Sequence, residues 1–135
     1  MAGATAMRIP GTAEAIGVVR EWAALVMLAD GCKYVDSAVL VISELVGNAI
    51  KHTRSQRDGG RVVVRLTYPA ADVVRVDVID DGATTVPRPR YPDWDMESGR
   101  GLWMVEQVAL AWGQRALPGG RRAVWADVAV TFCAA

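Results

Sequence analysis

The chain has 135 residues, 52% of them hydrophobic and 22% charged, with a formal net charge of zero. That size supports a buried core, and zero net charge gives no electrostatic case for nucleic acid or an acidic membrane as a direct partner. Two isolated cysteines, Cys32 and Cys133, argue against a disulfide framework or a thiolate zinc site, and no apolar run approaches the roughly 18 residues of a membrane helix.

The first ten residues lack the basic start and apolar core of a signal peptide, so the expectation is one soluble, cytoplasmic domain over 1–135. Residues 1–6 read as a disordered tail. Met7 to Ile9 read as a short edge strand ended by Pro10-Gly11. Thr12 is a suitable N-cap for a helix over 13–29, with Glu14 in its first turn and Ile16, Val19, Ala23 and Val26 or Met27 facing inward. Asp30-Gly31 ends it.

A second helix is expected over about 34–53. Ile42, Leu45, Val46, Ala49 and Ile50 recur at spacings of three and four and form its buried face. Glu44, Asn48 and His52 recur every four residues and line up along one stripe. Such a row is either the wet outer face of an amphipathic helix or a set of polar groups facing a ligand, since unpaired burial is costly.

After a polar loop closing in Gly59-Gly60, the period changes to two. Val62, Val64 and Leu66 alternate with Val63, Arg65 and Thr67, and Val74, Val76 and Val78 with Arg75, Asp77 and Ile79. These read as an antiparallel hairpin turning over 69–72. Residues 83–98 hold three prolines without periodicity and read as a long loop of the kind that forms binding lids. A third helix starts near Gly99 to Gly101 and carries Leu102, Val105, Val108 and Ala109, and a closing hairpin turns at Pro118-Gly119-Gly120. The order of elements predicts an α+β two-layer sandwich: a mixed, mostly antiparallel sheet with helices on one face.

Two more motifs stand at the joints. Asp80-Asp81-Gly82 follows a strand: by itself a common turn, or a carboxylate for an exocyclic amine beside a glycine that admits a ring. Gly99-Arg100-Gly101 precedes a helix, where free backbone amides make an anion site, although glycine pairs are frequent in loops.

Taken in order, the helical Glu44-x-x-x-Asn48-x-x-x-His52, the strand ending in Asp80-x-Gly82, the Pro-rich loop and Gly99-x-Gly101 resemble the N, G1 and G2 boxes of the GHKL (Bergerat-fold) ATPase family, over about 12–130. Within it the chain is most similar to short stand-alone members such as the anti-sigma-factor serine kinases. The resemblance implies ATP and Mg2+ as cofactors. Asn48 would hold the magnesium, Glu44 would act as general base, Asp80 would bind the adenine amine with Gly82 giving room, and Gly99 and Gly101 would present amides to the phosphates. Lys51 and Arg100 would be further phosphate contacts, with residues 83–98 as the ATP lid and His52 in a local structural role. Trp94 in that lid is a candidate to pack on a ligand or partner. Two departures, Thr84 where a second glycine is usual and Ala123 at the apparent place of a last-strand threonine, imply weaker nucleotide binding, by about 0.5–1.5 kcal/mol per missing hydrogen bond.

A sensor histidine kinase needs a separate phosphoacceptor histidine, and gyrase-like members need a transducer domain. His52 is the one histidine here. The resemblance therefore points to a protein serine/threonine kinase acting on an anti-anti-sigma (STAS-like) partner and competing for a sigma factor, with an exposed face of the first helix or a sheet edge available for a homodimer. The alternative is a docking module of the same fold with weak or no nucleotide binding.

Overall fold

The computed structural model describes residues 3–52, 57–82 and 97–133. In chain order the elements are β1 (Thr5–Pro10), α1 (Glu14–Ala29), β2 (Cys32–Lys33), α2 (Asp36–His52), β3 (Arg61–Ala70), β4 (Val73–Asp80), α3 (Glu97–Val108), β5 (Ala111–Ala116), β6 (Arg122–Ala129) and β7 (Thr131–Phe132). Five strands form one sheet in the order β1-β3-β4-β6-β5, and every neighbouring pair is antiparallel. The expected α+β sandwich is present, with a fully antiparallel main sheet instead of a mixed one.

Alternation explains how the layers meet. Val62, Val64, Leu66 and Tyr68 of β3, Val74, Val76 and Val78 of β4, and Val124, Ala126 and Val128 of β6 are buried. Cross-strand partners such as Leu66, Val76 and Ala126 share one rung and therefore one face. Against that face lies α2, which touches β3, β4, β6, α1 and α3 and buries Ile42, Leu45, Val46, Ala49 and Ile50, the face read from its spacing. The inner face of α1 is Ala15, Val19, Ala23 and Met27, with Ile16 and Val26 half-buried.

Among the described residues no helix lies on the opposite face of the sheet, which covers itself with charge. Arg75 binds Asp127 through two hydrogen bonds of 2.7 and 2.9 Å, and its guanidinium lies 4.7 Å from the Trp125 ring centroid. Those bonds to Asp127 hold the Arg75 proton more firmly than usual. Asp77 is buried beside them, 2.9 Å from Arg115 Nη1.

Several boundaries differ from the expectation for visible reasons. Thr5 and Ala6, read as disordered tail, pair with Leu66 and Arg65 and extend the edge strand. Thr12 is not a side-chain cap: Ala13 occupies the N-cap in a helical conformation, and the Thr12 carbonyl accepts the Ala15 N–H. The second helix begins at Asp36 because Tyr34 takes a left-handed backbone (φ 55) that no right-handed helix contains. Pro69 lies inside β3 at a shift in register, so the turn is shorter than 69–72. A separate two-stranded sheet of β2 and β7 was not legible, each strand being two residues long.

Tyr68 joins these parts. Its hydroxyl donates to Asp30 Oδ2 at 2.6 Å at the end of α1, and its ring meets Phe132 of β7 edge-on at 5.2 Å. Burial and that hydrogen bond push the phenol far above its ordinary value, so it is a permanent donor. The nearby Cys32 is a free thiol pushed up by burial, and Cys133 is free and exposed. Tyr68→Phe is expected to lower stability by about 1.5 kcal/mol, the lower end for a hydrogen bond to a charged group, because Asp30 is half-exposed and recovers water. Urea denaturation checks this, and an unchanged midpoint would contradict it.

Candidate functional site

The site lies where β4 runs out beneath α2. A small cleft, partly open to solvent, is lined by Leu45, Asn48 and Ala49 of α2, Asp80 of β4, Leu102 of α3, and Arg122 and Val124 of β6. Its walls are Leu, Ala and Val side chains, and its polar groups are one carboxamide, one carboxylate and one guanidinium. A flat, mostly apolar ring with a few edge heteroatoms matches that lining.

Asp80 is on the helix-facing side of β4 because it continues the row Val74, Val76, Val78. Its side chain is 1% exposed. Gly82 turns the chain with φ 91, a conformation that favours glycine, and donates its N–H to Asp80 Oδ1 at 2.7 Å. Asp80 Oδ2 is buried without a hydrogen bond, and the nearest cation is Arg122 Nε at 3.6 Å. Burial pushes the carboxyl above its ordinary value, against the pull of the Gly82 N–H and of Arg122. Because the folded value exceeds the unfolded one, the stability this group contributes is full below the unfolded value and is lost as pH rises through the folded one. Of the two aspartates in the motif, the second is engaged elsewhere: Asp81 Oδ2 accepts the Arg61 N–H at 2.9 Å.

Asn48 enters the same cleft from α2, and its Nδ2 is buried without a hydrogen bond. A native amide left unsatisfied in a cleft is a group poised for a ligand. Its Oδ1 is a hard-oxygen ligand of the kind magnesium takes. Among the described residues no three or more of His, Cys, Asp and Glu cluster, so an ion here would need most of its ligands from phosphates and water, as magnesium at nucleotides does. Glu44 is half-buried one turn before Asn48 and does not line the cleft.

The structure thus brings together Asn48, Asp80 and Gly82. Lys51 is exposed. The third helix starts at Glu97, so Gly99 falls in its first turn, and Gly101 is deep enough that its N–H enters the helical hydrogen-bond ladder. The expectation that both glycines precede the helix is corrected for that reason: only the first-turn amides, Gly99 included, remain open to an anion. The side chains of Arg100 and His52 lie outside the described residues, as do Thr84, Trp94 and 83–96 of the expected lid.

Arg122 is the residue that sequence reasoning missed. Ala123 was expected at this place, but it pairs with Ile79 on the opposite face of the sheet, while Arg122 pairs with Asp80. The signal was present: Arg122 has the parity of Val124, Ala126 and Val128, and Ala123 that of Trp125 and Asp127.

The sequence matches the family described as Histidine kinase-like ATPase domain over residues 9–120. No curated protein matches it. Among solved structures, the fold is similar to that of the RsbU and RsbW domains of Rv1364c from Mycobacterium tuberculosis, with a TM-score of 0.67 and 20% sequence identity. That likeness covers 94% of this chain and 33% of the other, so the chain spans about a third of the protein it matches. At this identity the likeness speaks for the fold, which is the Bergerat arrangement of helices on an antiparallel sheet.

Proposed function

Because the chain belongs to the histidine kinase-like ATPase family, we propose that it binds Mg-ATP in this cleft and phosphorylates a serine or threonine of an anti-anti-sigma (STAS-like) protein, controlling a sigma factor by partner switching. The observation that carries this reading is the convergence of an orphaned Asn48 amide and a buried, half-satisfied Asp80 carboxylate on one apolar-walled cleft. Asp80 Oδ2 accepts from the exocyclic amine of the base, Leu45, Ala49, Leu102 and Val124 cover the ring, and Asn48 ligates the ion through Oδ1. Bound magnesium supplies neutralisation of phosphate charge. Glu44, one turn from Asn48, takes the proton of the partner's hydroxyl as its oxygen bonds to the γ-phosphorus and the bond to ADP breaks.

The test is labelled ATP incubated with the chain and a STAS-like partner. Magnesium-dependent transfer of the γ-phosphate to a partner hydroxyl is the expected result. ATP binding without transfer would favour the second reading, a docking module of the same fold, for which the position of Glu44 outside the cleft lining speaks.

A pH dependence follows from Asp80. The ionised carboxylate is the stronger acceptor for an amine, and its value is raised in the folded protein, so affinity is expected to climb with pH through that raised value and then level off. Calorimetric titration of Mg-ATP between about pH 4.5 and 8 reads the climb, which should begin above the ordinary carboxylate value of about 4. A flat profile would remove Asp80 from the base contact.

A further inference from the structure

We propose that Arg122 is a second base-reading residue, donating directly to the ring nitrogen N1 of adenine while Asp80 Oδ2 accepts from the neighbouring exocyclic amine. The inference rests on the nucleotide reading above and adds the side chain that fixes which edge of the base is read.

The geometry points to it in three ways. Arg122 and Asp80 are direct cross-strand partners at the end of the β4–β6 ladder, so their side chains leave the sheet on the same face and enter the same cleft. Arg122 Nε stands 3.6 Å from Asp80 Oδ2, so the two side chains are placed to address two adjacent atoms of one ring. The Arg122 side chain is only 13% exposed, which makes its position in the cleft part of the fold. A guanidinium has five N–H donors in a planar fork and no acceptor, so it can face Asp80 and still donate to a base edge.

One acceptor beside one donor matches the adenine edge, which offers an amine hydrogen next to an N1 lone pair. Guanine offers a carbonyl, an N1–H and a further amine. Its two adjacent N–H groups call for both carboxylate oxygens, and Asp80 Oδ1 is already held by the Gly82 N–H at 2.7 Å. A guanine base would leave a polar group unpaired between apolar walls, the kind of mismatch from which large discrimination comes. Arg122 also draws the Asp80 carboxyl toward its ionised, accepting form against the effect of burial.

The experiment compares Mg-ATP with Mg-1-deaza-ATP, which has a C–H in place of N1, by calorimetry on wild type and Arg122→Met. Wild type is expected to bind 1-deaza-ATP at least about tenfold more weakly, the worth of a charge-assisted hydrogen bond, and Arg122→Met to bind the two equally. Arg122→Lys, which keeps a cation beside Asp80 on a side chain without the fork, is expected to lose most of the discrimination and serves where the methionine variant does not fold. Equal binding of both nucleotides by wild type would overturn the proposal, and so would discrimination that persists in the variants. A purely structural role would change both affinities together and leave their ratio alone. Failure of wild type to bind ATP at all would instead overturn the nucleotide reading, and the role of Arg122 with it.

Discussion

Glu44→Gln is expected to leave Mg-ATP binding within about twofold of wild type and to slow phosphate transfer by about 10²–10⁴-fold, the usual contribution of a positioned general base. Glutamine keeps the size and the acceptor oxygen of the side chain and removes its ability to take a proton. Glu44 does not line the cleft, so the base and its pocket are untouched. It is half-buried on α2, one turn before Asn48, and a substitution there is expected to change stability by no more than about 0.5 kcal/mol. Binding measured by calorimetry and transfer measured by single turnover therefore separate, and their separation is the result to look for. Transfer at the wild-type rate would remove Glu44 from the chemistry and leave positioning of the hydroxyl as the source of catalysis.

The second large effect is expected at Asn48, where stability and binding move in different directions. The buried Nδ2 has no hydrogen bond in the folded chain, a burden of about 1–3 kcal/mol where solvation is fully lost. Asn48→Ala removes that burden together with the side chain proposed to hold the magnesium. The ligand-free variant should melt at or above the wild-type temperature. Wild type at a hundredfold excess of Mg-ATP over its dissociation constant gains about 2.7 kcal/mol, a few degrees in a domain of this size, and the variant should gain none. A variant that still shows the magnesium-dependent shift would take Asn48 out of the ion's coordination.

Most of the fold could be read from period. The valine rows of β3 and β4 and the 3–4 spacing of α2 report which side chains face the core, and the structure buries those side chains. What could not be read depends on contacts distant in sequence or on too few residues to carry a period. Cys32–Lys33 and Thr131–Phe132 are each two residues long, and only their pairing makes them strands. Tyr34 carries no marking of its left-handed backbone, since tyrosine is not a residue that favours it. In the site, Asn48, Asp80 and Gly82 were legible because motif and period agree on them. Arg122 was overlooked because the motif suggested the next residue, although strand parity already excluded Ala123 from the helix-facing row.

The rung that carries Asp80 and Arg122 has a consequence for how the site tolerates change. β4 is the middle strand of five and is paired along both sides. Moving it by one residue would turn Val74, Val76 and Val78 out to solvent as well as Asp80. The pair proposed to read the base therefore cannot drift gradually: it stays in place for as long as the chain folds. Variation in specificity must come by exchanging the side chain at position 80 or 122, one step at a time, on an unaltered frame. Relatives that read another base should differ at these two places and share the valines beneath them.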